Sequence, residues 1–172
     1  MFIGRFLGGS APSLQHLCVD GFDYEGLPSL LSSAPNLVSL QIKNLRPISY
    51  VPPEVMVGAL AGLTKLRDLC VGVSPYYSIH QFRELEKRQS LHSPYPDHVV
   101  FPALTKFQFR GDSEYLEDLV AFIDAPRLED LNVEYAKNYD DDCFEEVIEA
   151  GNISQFISRT DAFKHPSSDM RR

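Results

Sequence analysis

At 172 residues, 44% of them apolar, the chain is long enough for one domain with a core of ordinary size and too apolar to be globally disordered. No apolar run approaches the roughly 18 residues of a membrane span. The formal net charge of -8 is divided unevenly: residues 1–111 hold 10 basic and 8 acidic side chains, residues 112–172 hold 6 and 16. One end is therefore strongly acidic and the other has no basic stripe, which argues against nucleic acid as a partner.

The opening M-F-I-G-R-F-L-G-G-S-A has its apolar stretch broken by Gly4 and Arg5, which reads as the remnant of a preceding helix rather than a signal peptide. At 11–19 stands A-P-S-L-Q-H-L-C-V, and the phrase returns as A-P-N-L-V-S-L-Q-I at 34–42 and A-P-R-L-E-D-L-N-V at 125–133. Two looser copies, T-K-L-R-D-L-C-V at 64–71 and P-A-L-T-K-F-Q-F at 102–109, complete a set of five. Aligned on their apolar members they give Leu14/Leu17/Val19, Leu37/Leu40/Ile42, Leu66/Leu69/Val71, Leu104/Phe107/Phe109 and Leu128/Leu131/Val133. The steps between first members are roughly 23, 29, 38 and 24 residues, against about 20–29 for a leucine-rich repeat.

In each phrase the second and third apolar members alternate with polar residues, the period of a short strand buried on one face. Helical segments are expected between the strands, at 27–33, 53–63 and 113–124. The last has Ser113 placed to cap it, Glu117 near its first turn, and Leu116, Leu119, Val120 and Ile123 as an apolar stripe. A strand, a return helix and a second strand in the same direction give a right-handed parallel coil. Stacked coils bury what one unit alone cannot. The expected fold is an α/β leucine-rich-repeat solenoid over residues 1–172, with short parallel strands on the concave face, helices on the convex face and about five irregular repeats.

The long step is accounted for by residues 74–100, which contain Pro75, Pro94 and Pro96 and read as an inserted surface loop. As a binding loop it would offer Tyr76, Tyr77, Phe82 and Tyr95 as anchors. His80, His92 and His98 fall here with no zinc-like spacing. The run Y-D-D-D-C-F-E-E-V-I-E at 139–149 lacks the alternating ligands and glycine of a calcium loop. It reads as a helix charged at its start by Asp140 to Asp142, with Phe144, Val147 and Ile148 inward. Residues 161–172 read as a polar, disordered tail. Cys18, Cys70 and Cys143 show no paired spacing. Cys18 and Cys70 occupy equivalent places on strands one and three, about 10 Å apart, beyond the roughly 7 Å reach of a disulfide. Free thiols and a reducing compartment, cytoplasmic or nuclear, are expected. No nucleophile elbow, phosphate-binding glycine loop or zinc-protease motif occurs, so no catalytic, cofactor or metal residues are expected.

Several stretches also resemble the leucine-rich-repeat region of F-box-like proteins of basidiomycete fungi. They are G-G-S-A-P-S-L-Q-H-L at 8–17, V-P-P-E-V-M-V-G-A-L-A-G-L-T-K-L at 51–66, F-P-A-L-T-K-F-Q-F-R-G at 101–111, S-E-Y-L-E-D-L-V-A-F-I-D-A-P-R-L at 113–128 and Q-F-I-S-R-T at 155–160. The resemblance implies a non-catalytic protein-interaction role as a substrate receptor, with an F-box module upstream docking to a ubiquitin-ligase adaptor. No stretch before residue 8 reads as that module. The turn position that carries Asn or Cys in the common repeat holds Phe22, Leu45, Ser74, Asp112 and Ala136 here. The family pattern continues into another repeat after Q-F-I-S-R-T, so the chain reads as a segment of a longer array.

Outward neighbours of the apolar strand members name the expected contact face. They are His16, Cys18 and Asp20; Ser39, Gln41 and Lys43; Asp68, Cys70 and Gly72; Lys106, Gln108 and Arg110; and Asp130, Asn132 and Glu134. The middle column of thiols and amides suits hydrogen bonding to an extended peptide and equally suits a solvated sheet. A protein partner is expected, a basic one if the acidic end steers it. The alternative is a structural fragment that associates with itself through uncapped ends.

Overall fold

The computed structural model describes residues 11–21, 27–45, 51–73, 98–135 and 151–160. Among the described residues, seven strands and four helices follow in chain order: β1 (His16–Asp20), α1 (Leu27–Ser33), β2 (Ser39–Leu45), α2 (Pro53–Leu60), β3 (Asp68–Val73), β4 (Val99–Val100), β5 (Lys106–Gly111), α3 (Ser113–Ala121), β6 (Ile123–Asp124), β7 (Asp130–Tyr135) and α4 (Gly151–Arg159). Five strands form one sheet in the order β1-β2-β3-β5-β7, every pairing parallel. The five repeated phrases are those five strands. The fold is mixed α/β, a parallel sheet with helices against one face.

Register follows the sequence alignment. Leu17, Leu40, Leu69, Phe107 and Leu131 are successive Cα partners across the sheet, as are Val19, Ile42, Val71, Phe109 and Val133. The three interior members of each row are fully buried, whereas Leu17, Val19, Leu131 and Val133 at the ends are only partly covered. The expected buried column is thus a buried centre with half-open ends.

A turn precedes each strand, and it explains the recurring A-P. Leu14 N donates to Ala11 O, Leu37 N to Ala34 O, Leu66 N to Leu63 O, Leu104 N to Phe101 O and Leu128 N to Ala125 O, at 3.0–3.3 Å. In four of the five the second position is Pro12, Pro35, Pro102 or Pro126, whose fixed φ suits that corner of a β-turn. The first position, Ala11, Ala34, Leu63, Phe101 or Ala125, is buried every time. Polar side chains lace the turns together: Asn36 Nδ2 donates to Pro12 O (2.7 Å) and Lys65 Nζ to Asn36 Oδ1 (2.7 Å).

The helices press Leu27, Leu30 and Leu31, then Met56, Val57 and Leu60, then Tyr115, Leu116, Leu119 and Val120 into the same core. Tyr115 stacks on Phe109 with ring centroids 6.2 Å apart and donates its hydroxyl to Val51 O (2.9 Å), so its polar tip is satisfied where it is buried. The α3 cap differs from the expected Ser113. Asp112 is the N-cap and its carboxylate accepts from Glu114 N (2.8 Å) and Tyr115 N (3.4 Å), which places an anion at the positive end of the helix. The helix also ends earlier than expected. Ile123 and Asp124 leave it to pair in parallel with Val99 and Val100, so the last residues of the expected 74–100 loop belong to a second, two-stranded sheet. Residues 74–97, with Tyr76, Tyr77, Phe82, Tyr95, His80 and His92, lie outside the described residues, as do 139–149 and 161–172.

α3 and α4 are joined at both ends. Glu117 is buried and accepts from Asn152 N (2.7 Å) and Ile153 N (3.4 Å), two donors that the first turn of α4 cannot satisfy itself. In return Arg159, at the end of α4, donates to Val120 O (3.4 Å) and Ile123 O (3.3 Å) and pairs through Nε with Asp124 (2.7 Å). Glu117→Ala is expected to lower unfolding stability by about 1–3 kcal/mol, the cost of leaving buried donors unpaired. Urea unfolding measures the loss. Amide exchange should accelerate first at Asn152 and Ile153, and unchanged protection there would show that Glu117 does not hold α4.

Candidate functional site

The sheet face opposite the helices carries the outward column in register: Cys18, Gln41, Cys70, Gln108 and Asn132 are successive Cα partners. Gln41, Cys70 and Gln108 are half-buried, while Cys18 and Asn132 at the ends are exposed. The three side-chain amides make no hydrogen bond among the described residues. Below this column run His16, Ser39, Asp68, Lys106 and Asp130, also in register. The structure therefore brings together all fifteen expected contact residues on one face of one sheet.

Two pairs of these charges satisfy each other. Lys106 Nζ lies 3.0 Å from Asp130 Oδ2, and Arg110 Nε lies 3.5 Å from Glu134 Oε1. All four side chains are substantially open to water, so each pair contributes about 0–1 kcal/mol and opens readily for a partner. Cys18 and Cys70 are both free thiols. Burial pushes the Cys70 thiol up, with Lys43 pulling it down and Cys18 adding to the rise, so Cys70 stays protonated and weakly nucleophilic at neutral pH.

The end of the face beyond β2 is irregular. The β2–β3 register shifts between Ile42 and Leu45, and Asn44 takes a left-handed φ of 51°, a conformation Asn tolerates better than most residues. Asn44 Nδ2 donates to Asp20 Oδ1 (2.8 Å). Asp20 is the register partner of Lys43, yet its carboxylate is held by Asn44, and Lys43 forms no ion pair with a described residue. Gly72 was expected on this face as an outward strand neighbour, whereas Asn44 was not among the expected contact residues. The available signal for Asn44 was its place just beyond an outward lysine.

His98, from the 74–100 segment, sits away from this face, with Nδ1 3.2 Å from Asp124 Oδ2. Among the described residues no group of three His, Cys, Asp or Glu side chains is placed to hold a metal ion, and no helix is long and apolar enough to cross a membrane. No protein-family model matches the chain, and neither curated proteins nor solved structures yield a match. The fold and the face together define a mixed α/β protein that presents a polar face of a five-stranded parallel sheet.

Proposed function

We propose that the chain is a leucine-rich-repeat solenoid acting as a non-catalytic protein-interaction scaffold, the kind of receptor surface its sequence resembles in fungal F-box-like proteins. The observation that carries this reading is the in-register outward column, whose three amides have no hydrogen-bond partner among the described residues. A strand face is held by its ladders before a partner arrives, so binding orders little and its entropic cost is small. Five turns of one geometry, each feeding a strand next to the preceding one, support the solenoid. The acidic half of the chain steers a basic partner from a distance, and salt weakens that steering.

The double variant Asp130→Lys/Glu134→Lys tests the reading. Its stability should fall by under about 1 kcal/mol, because the side chains are exposed. Association with a captured basic partner should slow, and added salt should slow wild type in the same way. The assay is affinity capture from a fungal lysate with the two proteins side by side. Identical partner sets and identical salt dependence would remove this face from the reading.

The half-covered rows at β1 and β7 favour a second reading, a structural fragment of a longer array that associates with itself through its ends. Light scattering over a dilution series separates the two, since a constant monomer mass excludes self-association.

A further inference from the structure

Glycine inside a strand weakens it, and a fold that keeps one there commonly needs it for a close approach. Gly111, at the end of β5, has that need internally: a Cβ there would lie 3.0 Å from Val73 Cβ and 3.1 Å from Phe109 Cζ. Gly72, in the middle strand of the sheet, has no such need. A Cβ would meet only Ile42 O at 3.5 Å and Asn44 N and Lys43 Cα at 3.6 Å, ordinary contact distances, and its φ is not left-handed. The irregularity in β2 opposite it therefore does not demand glycine. The missing side chain leaves bare, half-buried backbone on the outward face, with the Lys43 backbone on one side and Arg110, its Cα partner, on the other.

Charges across this end of the sheet run acid, base, gap, base, acid: Asp20 pairs in register with Lys43, whose Cα lies beside Gly72 through the shifted β2–β3 register, and Gly72 pairs with Arg110 and Arg110 with Glu134. An anion over Gly72 has the two cations one strand away, about 5 Å, and the two carboxylates two strands away, about 10 Å. Coulomb energy falls with distance, so the nearer cations dominate. One outer carboxylate is also engaged elsewhere, since Asp20 accepts from Asn44. Irregularities of this kind re-aim side chains beside binding sites, and the β2–β3 register shifts at Lys43, which has no ion pair among the described residues.

We propose that Gly72, Lys43 and Arg110 form a seat for a carboxylate side chain, Asp or Glu, on an extended segment of the partner protein. The proposal rests on the reading of this face as a protein-binding surface and specifies what the partner must bring to it. Lys43 and Arg110 donate to the carboxylate, Arg110 exchanging its exposed pairing with Glu134, and the absent Cβ at 72 lets the partner's backbone settle onto β3. The seat is local and acts after encounter, whereas long-range steering depends on the net charge of the whole chain.

The test is an amide-resolved NMR titration of the full chain at about 0.15 M salt, where charges beyond roughly 8 Å are screened. The probes are acetyl-Gly-Ser-Glu-Ser-Gly-amide, its Gln and Lys counterparts, and inorganic phosphate. The Glu peptide should shift the Gly72 and Arg110 amides, and the other two peptides should not. Lys43→Glu should weaken the response about tenfold or more, the loss of a charge-assisted hydrogen bond. Gly72→Ala should melt no lower than wild type yet lose the response, a combination that a purely structural glycine would not give. Equal shifts from the Lys peptide, or an unchanged response in both variants, would overturn the seat. Saturation by phosphate at much lower concentration than the Glu peptide would overturn it in favour of a phosphate site. If the Lys peptide alone shifts the sheet face, the carboxylate seat fails and the interaction surface stands. If no probe shifts this face and capture by the Asp130/Glu134 variant is also unchanged, both fail.

Discussion

Replacing Phe107 by alanine should lower unfolding stability by about 3–5 kcal/mol, the range for buried Phe truncations. Phe107 is fully buried, lies between Leu69 and Leu131 in register and meets Phe156 of α4 edge to face, with centroids 6.3 Å apart and planes at 80°. The truncation therefore removes a ring from the sheet interior and the ring contact that docks α4. Strands on both sides are fixed by ladders, which prevents them from collapsing into the space, so the cavity term persists. Leu131→Ala in the same row is the internal control. Leu131 is only partly covered, and its loss should be clearly smaller. Equal losses at the two positions in urea unfolding would mean that the sheet end is as enclosed as its centre.

Leu40→Ala should cost about 2–5 kcal/mol. Its side chain has 0% exposure and stands between Leu17 and Leu69 in the half of the sheet remote from α4. Because Leu40 and Phe107 share no direct ladder contact, the double variant should be close to additive. A loss under about 1 kcal/mol at position 40 would place that residue on the surface and overturn the register of β2.

The strand positions and their register were legible in the sequence because each phrase carries its own alternation and the five copies align on one another. Leu40 and Phe107 needed no knowledge of neighbours to be assigned inward. What was not legible is non-local or depends on one backbone angle. Ser113 and Asp112 are adjacent and both are good caps, and only the chain direction at the end of β5 decides for Asp112. Ile123 fits the helical stripe of α3, yet pairing with Val99 draws it into a strand, and the helical pattern contains no sign of that competition. Glu117 reads from sequence as an acid near the first turn of its helix, while its role as acceptor for α4 depends on residues 35 and 36 positions away. On the outward face the residue list was readable from alternation. The pairing of Lys106 with Asp130 and of Arg110 with Glu134 follows from that list once strand order is known. That Asp20 is held by Asn44 and not by Lys43 does not, since it requires the left-handed Asn44.

β3 pairs with β5 along its whole outward register, from Asp68–Lys106 to Gly72–Arg110, although this is the longest step between neighbouring strands. The ladder is thus indifferent to how much chain separates its two sides. Five successive residue pairs hold β3 to β5, and none of them depends on the length of chain between Val73 and His98. A chain that gained or lost residues there would keep its five-stranded sheet, and the outward face could be inherited unchanged while this junction diversified.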